Sequence, residues 1–405
     1  MKRKNILVVS QYFYPEQFRI NDICQEWAKR GYKVTVLTGI PNYPQGKYYE
    51  GYHFFSVKKE KFGEIDIIRL PLIARGSNSI MLILNYFSFV VSGWFWKLFS
   101  KLNSDYVFIY EVSPVTQALP GVWFAKKKKI PCYLYMTDLW PESVEEATGV
   151  KNKFIIRNLD RMVRYIYKNC DRIFNSSKSF HEKGNEYGID AEKMQFWPQY
   201  AEEFYQKVEP AKNEIENNGR FQITFAGNIG QSQGLEILPE VARLLEKADC
   251  GVQFNIIGDG RFKKELQKEV SDREVAHFFN FIDQKPAREI PYYFANSDVA
   301  LIILRRGRLL EKVIPAKVQS CMACGMPILA SASGEIQSII KEAECGFSSE
   351  AGDVNGLFQN IKKMLSMEKQ LFSKMGKNAQ RYYQDHFDKK LLMDQMDEYF
   401  GEVNV

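Results

Sequence analysis

Histidine is nearly missing from this chain, with four residues in 405, at positions 53, 181, 277 and 386. None stands in a catalytic context, so a histidine general base is not expected. Cysteine is odd in number and scattered, seven residues at 24, 132, 170, 250, 321, 324 and 345. That pattern argues against a disulfide framework and fits a reducing cytoplasm. Cys321 and Cys324 have redox-motif spacing, but no second pair or nearby histidine completes a zinc set, and they read as small residues of a helix. No cluster of metal ligands is visible and no metal is expected. Also absent are the Gly-x-Gly-x-x-Gly dinucleotide fingerprint, a signal peptide ahead of Ile6, internal repeats and any nucleic-acid-binding motif.

What is present suits two α/β domains. A hydrophobic fraction of 45% supplies sizeable cores at this length. Residues 1–200 carry 29 Lys and Arg against 19 Asp and Glu, whereas residues 201–405 carry 26 against 30. A basic first half points to an anionic surface or substrate, with chance distribution of solvated charge as the plain alternative.

The opening is a βαβ unit: strand Asn5–Ser10, helix Ile20–Arg30, stop at Gly31, strand Lys33–Thr38. Between the first strand and helix, Arg19 and Asn21 fall where ligands of open α/β sheets sit, or serve the helix cap. Residues 38–51, rich in Pro, Gly and Tyr, read as a long ordered loop. Strands Tyr106–Tyr110 and Pro131–Met136 end in polar groups, Glu111 and the Thr137-Asp138-Leu139-Trp140 run, which face the crevice of such a sheet. Glu111 and Asp138 are candidates for positioning or deprotonating a substrate hydroxyl, and N-capping is the alternative for Asp138.

Residues 77–101 form the greasiest stretch, interrupted by Asn78, Asn85, Ser88, Ser92 and Gly93. A buried or half-buried helix, an amphipathic helix touching a membrane and a true span are all open readings. Trp94, Trp96, Lys97 and Lys101 would suit an interfacial anchor. Within 151–168, Lys153, Arg157, Arg161, Arg164 and Lys168 would share one helix face, and with Lys126 to Lys129 could meet anionic headgroups.

A polar stretch up to about Gly219 reads as the linker to the second domain. There, Phe221–Ala226 is a strand followed by glycines 227, 230 and 234 and a helix at 235–245, an arrangement that lets backbone approach a phosphate. Asn255–Ile257 followed by Gly258-Asp259-Gly260-Arg261 repeats the pattern. A strand at 278–283 follows, and another at 297–303 leads into Arg305, Arg306 and Arg308. Pro315 opens a helix in which Ala316 and Lys317 stand at the positive end, Gly325 stops it, and a buried strand at 328–330 precedes Gly334-Glu335. An ordinary αβ unit with a solvated lysine fits the spacing equally well.

The run Met322-Ala-Cys-Gly-Met-Pro-Ile-Leu-Ala-Ser331 with its Gly-Glu turn resembles the donor segment of the GT4 family of GT-B glycosyltransferases. The Ile314-Pro-Ala-Lys317 opening resembles its bacterial O-antigen and capsule branch, which includes N-acetyl-L-fucosamine transferases. The Tyr12-Phe-Tyr-Pro-Glu16 turn, the Asp138-Leu-Trp-Pro-Glu-Ser143 segment, the Gly227-Asn-Ile-Gly230 loop and the Gly258 turn follow in the expected order. The fold implied is α/β, GT-B, two Rossmann-like parallel-sheet domains facing a cleft. An acceptor domain would take residues 1–200 and a donor domain 201–387, with a last helix at 388–405 returning to the first domain.

The resemblance implies a cytoplasmic, peripherally membrane-associated retaining transferase that moves a sugar from a UDP-sugar to an undecaprenyl-diphosphate-linked saccharide in capsule or O-antigen synthesis. The UDP-sugar is a co-substrate, and no separate cofactor or nucleic-acid partner is implied. Its catalytic candidates are Asp138, Glu111, Lys317 and Glu335. Donor contacts would come from Gly227, Asn228, Gln233, Gly258, Asp259, Arg261, Phe281, Ile282, Arg305, Ala316, Lys317, Ser320, Gly334 and Glu335, and acceptor contacts from Arg19, Asn21 and Trp140.

The chain departs from the family in four places: Phe18-Arg19-Ile20-Asn21 stands where many members carry paired glycines, Thr137 replaces a histidine, the neutral Asn228 and Gln233 stand where the donor loop usually has arginine and lysine, and Lys312 and Ser320 replace two glutamates. A UDP-sugar 2-epimerase and a non-catalytic sugar-nucleotide-binding subunit are the alternatives.

Overall fold

Strands that are apolar along nearly their whole length need both faces covered, and helices following each strand supply the cover. A computed structural model of the protein describes residues 4–55, 59–144, 152–216 and 218–402. It divides into two units. The first runs to Trp197 and includes the chain from Asp397; the second is Pro198–Met396.

The first unit holds β1 (Asn5–Val9), β2 (Lys33–Gly39), β3 (Lys59–Phe62), β4 (Ile65–Leu70), β5 (Tyr106–Glu111), β6 (Cys132–Met136), β7 (Arg172–Asn175) and β8 (Met194–Phe196). Their order in the sheet is β3-β4-β2-β1-β5-β6-β7-β8, parallel except for the β3–β4 pair. Between β1 and β5 the chain order reverses, the place where such sheets open a crevice at their carboxyl ends. Phe400, from the last helix (Lys389–Glu402), is fully buried against Trp27, Tyr106 and Tyr133.

The second unit has β9 (Phe221–Ala226), β10 (Val252–Ile257), β11 (Phe279–Ile282), β12 (Val299–Ile303), β13 (Ile328–Ser331) and β14 (Gly346–Ser349). Their order, β11-β10-β9-β12-β13-β14, puts its own switch point between β9 and β12. Helix Leu238–Lys247 seals this sheet with Leu238, Val241, Ala242 and Leu245, all fully buried. This α/β architecture is the one the sequence implies.

The greasy stretch is helix Ser79–Phe99, the one helix among the described residues long and apolar enough to cross a membrane. Its orientation inverts the usual rule. The buried positions are Asn85, Phe89 and Gly93, while Ile80, Ile83, Phe87, Val91, Phe95 and Phe99 stand exposed, Ile80 and Phe99 by 71% and 79%. The inward side is tied by polar bonds: Asn85 accepts from Gln11 Nε2 at 2.7 Å, and Ser92 Oγ donates to the Pro71 carbonyl at 2.7 Å. Gly93 lies against Pro120 with no room for a Cβ. Since the inward row is held by the domain itself, this helix is neither a buried core helix nor a free span.

On helix Lys153–Lys168, Lys153, Arg157, Arg161 and Lys168 are exposed, whereas Arg164 turns back to Asp160 at 3.0 Å and over the Tyr187 ring. The expected single cationic face therefore lacks Arg164, and Lys151 lies outside the described residues.

Phe400→Ala should destabilise the first unit by about 3–5 kcal/mol, since it removes a fully buried ring. Urea unfolding measures it. A loss under about 1 kcal/mol would show that this ring does not anchor the last helix.

Candidate active site

The second unit concentrates its candidates at the carboxyl ends of β9, β10, β12 and β13. Helix Ala316–Ala323 begins there, with Pro315 preceding its first turn. Lys317 Nζ donates to Gln233 Oε1, sits 4.3 Å from the Phe225 ring centre, and would be 3.5 Å from a Cβ placed on Gly227. Desolvation lowers its pKa to about 8, and no carboxylate among the described residues pairs with it. Gln233, a neutral residue where the family has a charge, is thus the partner of this lysine.

Backbone packs on backbone around it. A Cβ on Gly258, whose φ is +144°, would fall 2.0 Å from the Gly227 carbonyl oxygen, so only glycine lets these loops meet. The loops are then pinned: Ile229 N donates to Asp259 O at 2.8 Å and Phe262 N to Ile229 O at 3.0 Å. Asn228 is exposed at the tip. Asp259 is exposed too, its Oδ1 accepting from Gly260 N at 2.8 Å. Arg261 is likewise exposed, while Lys263 turns inward to the Gly258 carbonyl and Asp283. Lys263 was not singled out in the sequence, where it is one cation in a basic run.

Arg305 is exposed at the end of β12, its backbone N donating to Ser232 O at 3.0 Å. Gly234 approaches Arg305 N closely, and Gly334 meets the Glu311 carbonyl in the same way. Glu335 is buried at the start of helix Glu335–Ala343.

Several placements differ from the spacing-based picture. The β9 loop leads into short 3-10 turns, Gln231–Gln233 and Leu235–Ile237, and the α-helix begins only at Leu238. Ser320 donates to the Ala316 carbonyl at 3.1 Å, the back-bond of a buried helical serine. Gln319 is fully buried, with its amide nitrogen turned to the Pro315 and Ala316 carbonyls. Phe281 stacks on Phe279, and the Ile282 carbonyl accepts from Gly258 N at 3.1 Å.

In the first unit, Asp138 Oδ2 accepts from the Ser113 backbone N at 2.9 Å and its hydroxyl at 2.8 Å, which joins the ends of β5 and β6. Trp140 Nε1 donates to the same hydroxyl at 3.2 Å. Glu111 is fully buried, both carboxyl oxygens lack a hydrogen-bond partner among the described residues, and burial pushes its pKa well up. A neutral, inaccessible acid is poorly placed to take a proton from a substrate, so Asp138 is the half-exposed carboxylate of this pair. Arg19 bears electrostatically on Tyr110, as Asp138 does. Asn21 is committed to the loop, accepting from Tyr14 N at 3.1 Å and donating to Glu16 O at 2.7 Å.

Glu16 is the residue that sequence reasoning read only as the end of a turn motif. Its Oε1 accepts from the Asn42 and Tyr43 amides at 2.8 and 2.7 Å, clamping the 38–51 loop onto the β1 turn. Burial raises its pKa to about 7 against those donors.

Below pH 8 the folded protein bears the cost of a poorly solvated Lys317 ammonium, and sheds it as pH rises from about 8 toward the ordinary lysine value of 10.5. A diphosphate would compensate that charge. The thermal stabilisation by UDP should therefore be larger at pH 7.5 than at pH 9.5. Lys317→Gln should weaken UDP about ten- to a hundredfold and flatten this dependence. Unchanged affinity would remove Lys317 from the site.

Two family models match the chain. Residues 18–199 match Glycosyltransferase Family 4, and residues 207–382 match Glycosyl transferases group 1. The putative colanic acid biosynthesis glycosyl transferase WcaI of Escherichia coli K12 is 28% identical over 316 residues, 74% of this chain and 75% of that protein. The probable glycosyltransferase WbjE of Pseudomonas aeruginosa is 27% identical over 243 residues, 58% of this chain and 60% of that one. Among solved structures, sucrose-phosphate synthase of Thermosynechococcus elongatus superposes with a TM-score of 0.72 at 15% identity, over 99% of both chains. Anabaena Alr3699/HepE, solved with UDP, gives 0.65 at 14%, over 99% of this chain and 100% of the other. With both units matched in the order the motifs imply, the chain belongs to the GT4 family of GT-B glycosyltransferases.

Proposed function

We propose that this glycosyltransferase moves a sugar, with N-acetyl-L-fucosamine as the first candidate, from a UDP-sugar to an undecaprenyl-diphosphate-linked saccharide, with retention, in the synthesis of a capsule or O-antigen polysaccharide. The observation that carries the donor half is Lys317, its charge poorly solvated, without a carboxylate partner among the described residues, and beside the Gly227 turn. The polysaccharide context rests on the similarity to WcaI, which is named for colanic acid biosynthesis.

In this reading the bond from the anomeric carbon to the diphosphate oxygen breaks while the acceptor oxygen bonds to the same face. Lys317 stabilises the charge that develops on the leaving diphosphate. Arg261 and Arg305, exposed on the same rim, supply the positive charge that Asn228 and Gln233 do not. Asp138 orients the acceptor hydroxyl, whose proton passes to the departing phosphate. No separate cofactor or metal enters the scheme.

Peripheral attachment to the inner face of the cell membrane is supported by the outward apolar row of helix Ser79–Phe99. Trp94 and Lys97 lie near its end, and Lys127 Nζ reaches the Lys97 carbonyl at 2.8 Å.

Two experiments test this. UDP release from UDP-N-acetyl-L-fucosamine should require a lipid-linked acceptor fraction and be lost in Lys317→Gln. Tight UDP binding with no transfer to any lipid-linked acceptor would favour a non-catalytic subunit. In flotation with vesicles containing anionic phosphatidylglycerol, Ile83→Glu/Phe87→Glu should leave the protein in solution with unchanged UDP affinity. Undiminished flotation would overturn the membrane assignment.

A further inference from the structure

The first unit also contains a cation and a tyrosine cluster that the donor chemistry does not use. Tyr12, directly after β1, is 1% exposed, yet its hydroxyl has no hydrogen-bond partner among the described residues. A buried, unmet hydroxyl is costly, and a ligand oxygen would satisfy it. Its ring stacks on Phe18 at 5.1 Å and lies 5.4 Å from Tyr43.

Arg75 closes the other side. Its guanidinium lies 5.3 Å over the Tyr43 ring, its backbone N donates to Asn42 Oδ1 at 2.9 Å, and no carboxylate among the described residues pairs with its side chain. Glu16, the acid of this region, is taken up by the Asn42, Tyr43 and Phe13 amides. Arg75 and Tyr86 both bear electrostatically on the Tyr12 hydroxyl, and Arg75 and Asp138 both bear on Tyr86. An arginine without a carboxylate partner among the described residues and an unmet hydroxyl thus both lie against the Tyr43 ring, and the half-buried Tyr86 interacts electrostatically with each.

Position gives the ligand its other half. Arg75 stands four residues before helix Ser79–Phe99, and Gly76 packs on Met81 of its first turns. Tyr86 follows the inward Asn85 and precedes the outward Phe87, so it stands on the helix between the inward side and the apolar row of Ile80, Ile83, Leu84 and Phe87.

We propose that Arg75, Tyr12, Tyr43 and Tyr86 form a receptor for the diphosphate head of an isoprenoid amphiphile whose tail runs along the exposed row of helix Ser79–Phe99. This rests on the reading of the acceptor as lipid-linked and says which residues hold it. Arginine suits the head because its planar fork matches phosphate oxygens in pairs, while the tyrosines donate hydroxyls to the remaining ones. The sugar beyond the diphosphate would then lie toward Asp138, with which Tyr86 interacts.

The test is calorimetric titration with UDP saturating, so that the donor site is filled, using farnesyl diphosphate, farnesol and inorganic pyrophosphate as probes. Farnesyl diphosphate should bind at least about tenfold more tightly than pyrophosphate, and farnesol should not bind measurably. Arg75→Gln should weaken farnesyl diphosphate about tenfold or more and Tyr12→Phe should weaken it less, both with UDP affinity unchanged. Retained UDP affinity with undiminished farnesyl diphosphate binding in Arg75→Gln would overturn the proposal. Pyrophosphate binding as tightly as farnesyl diphosphate would overturn the tail assignment. Failure of the wild-type protein to bind UDP would instead strike at the transferase reading.

Discussion

A half-buried lysine with no carboxylate among the described residues to neutralise it is the constraint around which the second unit is arranged. Lys317 is carried to the switch point of a parallel sheet by a helix that starts at Ala316, and its ammonium rests on a neutral amide and an aromatic face. Such a site costs stability in proportion to the charge it conceals, and that same charge is what the proposed diphosphate would meet. The glycine loops serve this arrangement. Gly227 and Gly258 pack at a distance no side chain allows, which brings two strand ends beneath one lysine.

The first unit solves a different problem with a similar economy of means. A helix of apolar residues would ordinarily turn its greasy side to the sheet, but here Asn85, Ser88 and Ser92 are spent on bonds to Gln11 and to the Ile73 and Pro71 backbone. Their spacing of three and four fixes them on one side, and the helix has to present its apolar side outward. The same inward residues connect the helix to the loop that Glu16 clamps, because Asn42 takes part in both.

Much of this could be read from residues alone. Long apolar strands alternating with glycine turns and helical spacing revealed both sheets, and Pro315, Lys317 and Gly325 marked the lysine-bearing helix from cap to stop. Strand β3, Lys-Glu-Lys-Phe, was not legible, since an antiparallel edge strand needs only one covered face and can be charged on the other. The interruptions in the greasy stretch were visible, but which side of that helix docks depends on partners up to 74 residues away. Glu16 was read only as the end of a turn motif, and Arg75 escaped notice, because a single charge in a loop has no periodicity. Only the folded chain shows that one is occupied by backbone amides and the other is not. Ser320 and Gln319 illustrate the reverse: both stand beside the lysine in sequence, yet each hydrogen-bonds to the first carbonyls of its own helix.

The central claim is that the rim around Lys317 binds a nucleotide diphosphate. A crystal structure of the protein with UDP tests it most directly. The account predicts the diphosphate within hydrogen-bond distance of Lys317 Nζ, at the Gly227 to Gly230 turn, with Gln233 displaced from the lysine or shared with the phosphate. A diphosphate bound elsewhere, with Lys317 still on Gln233, would contradict it.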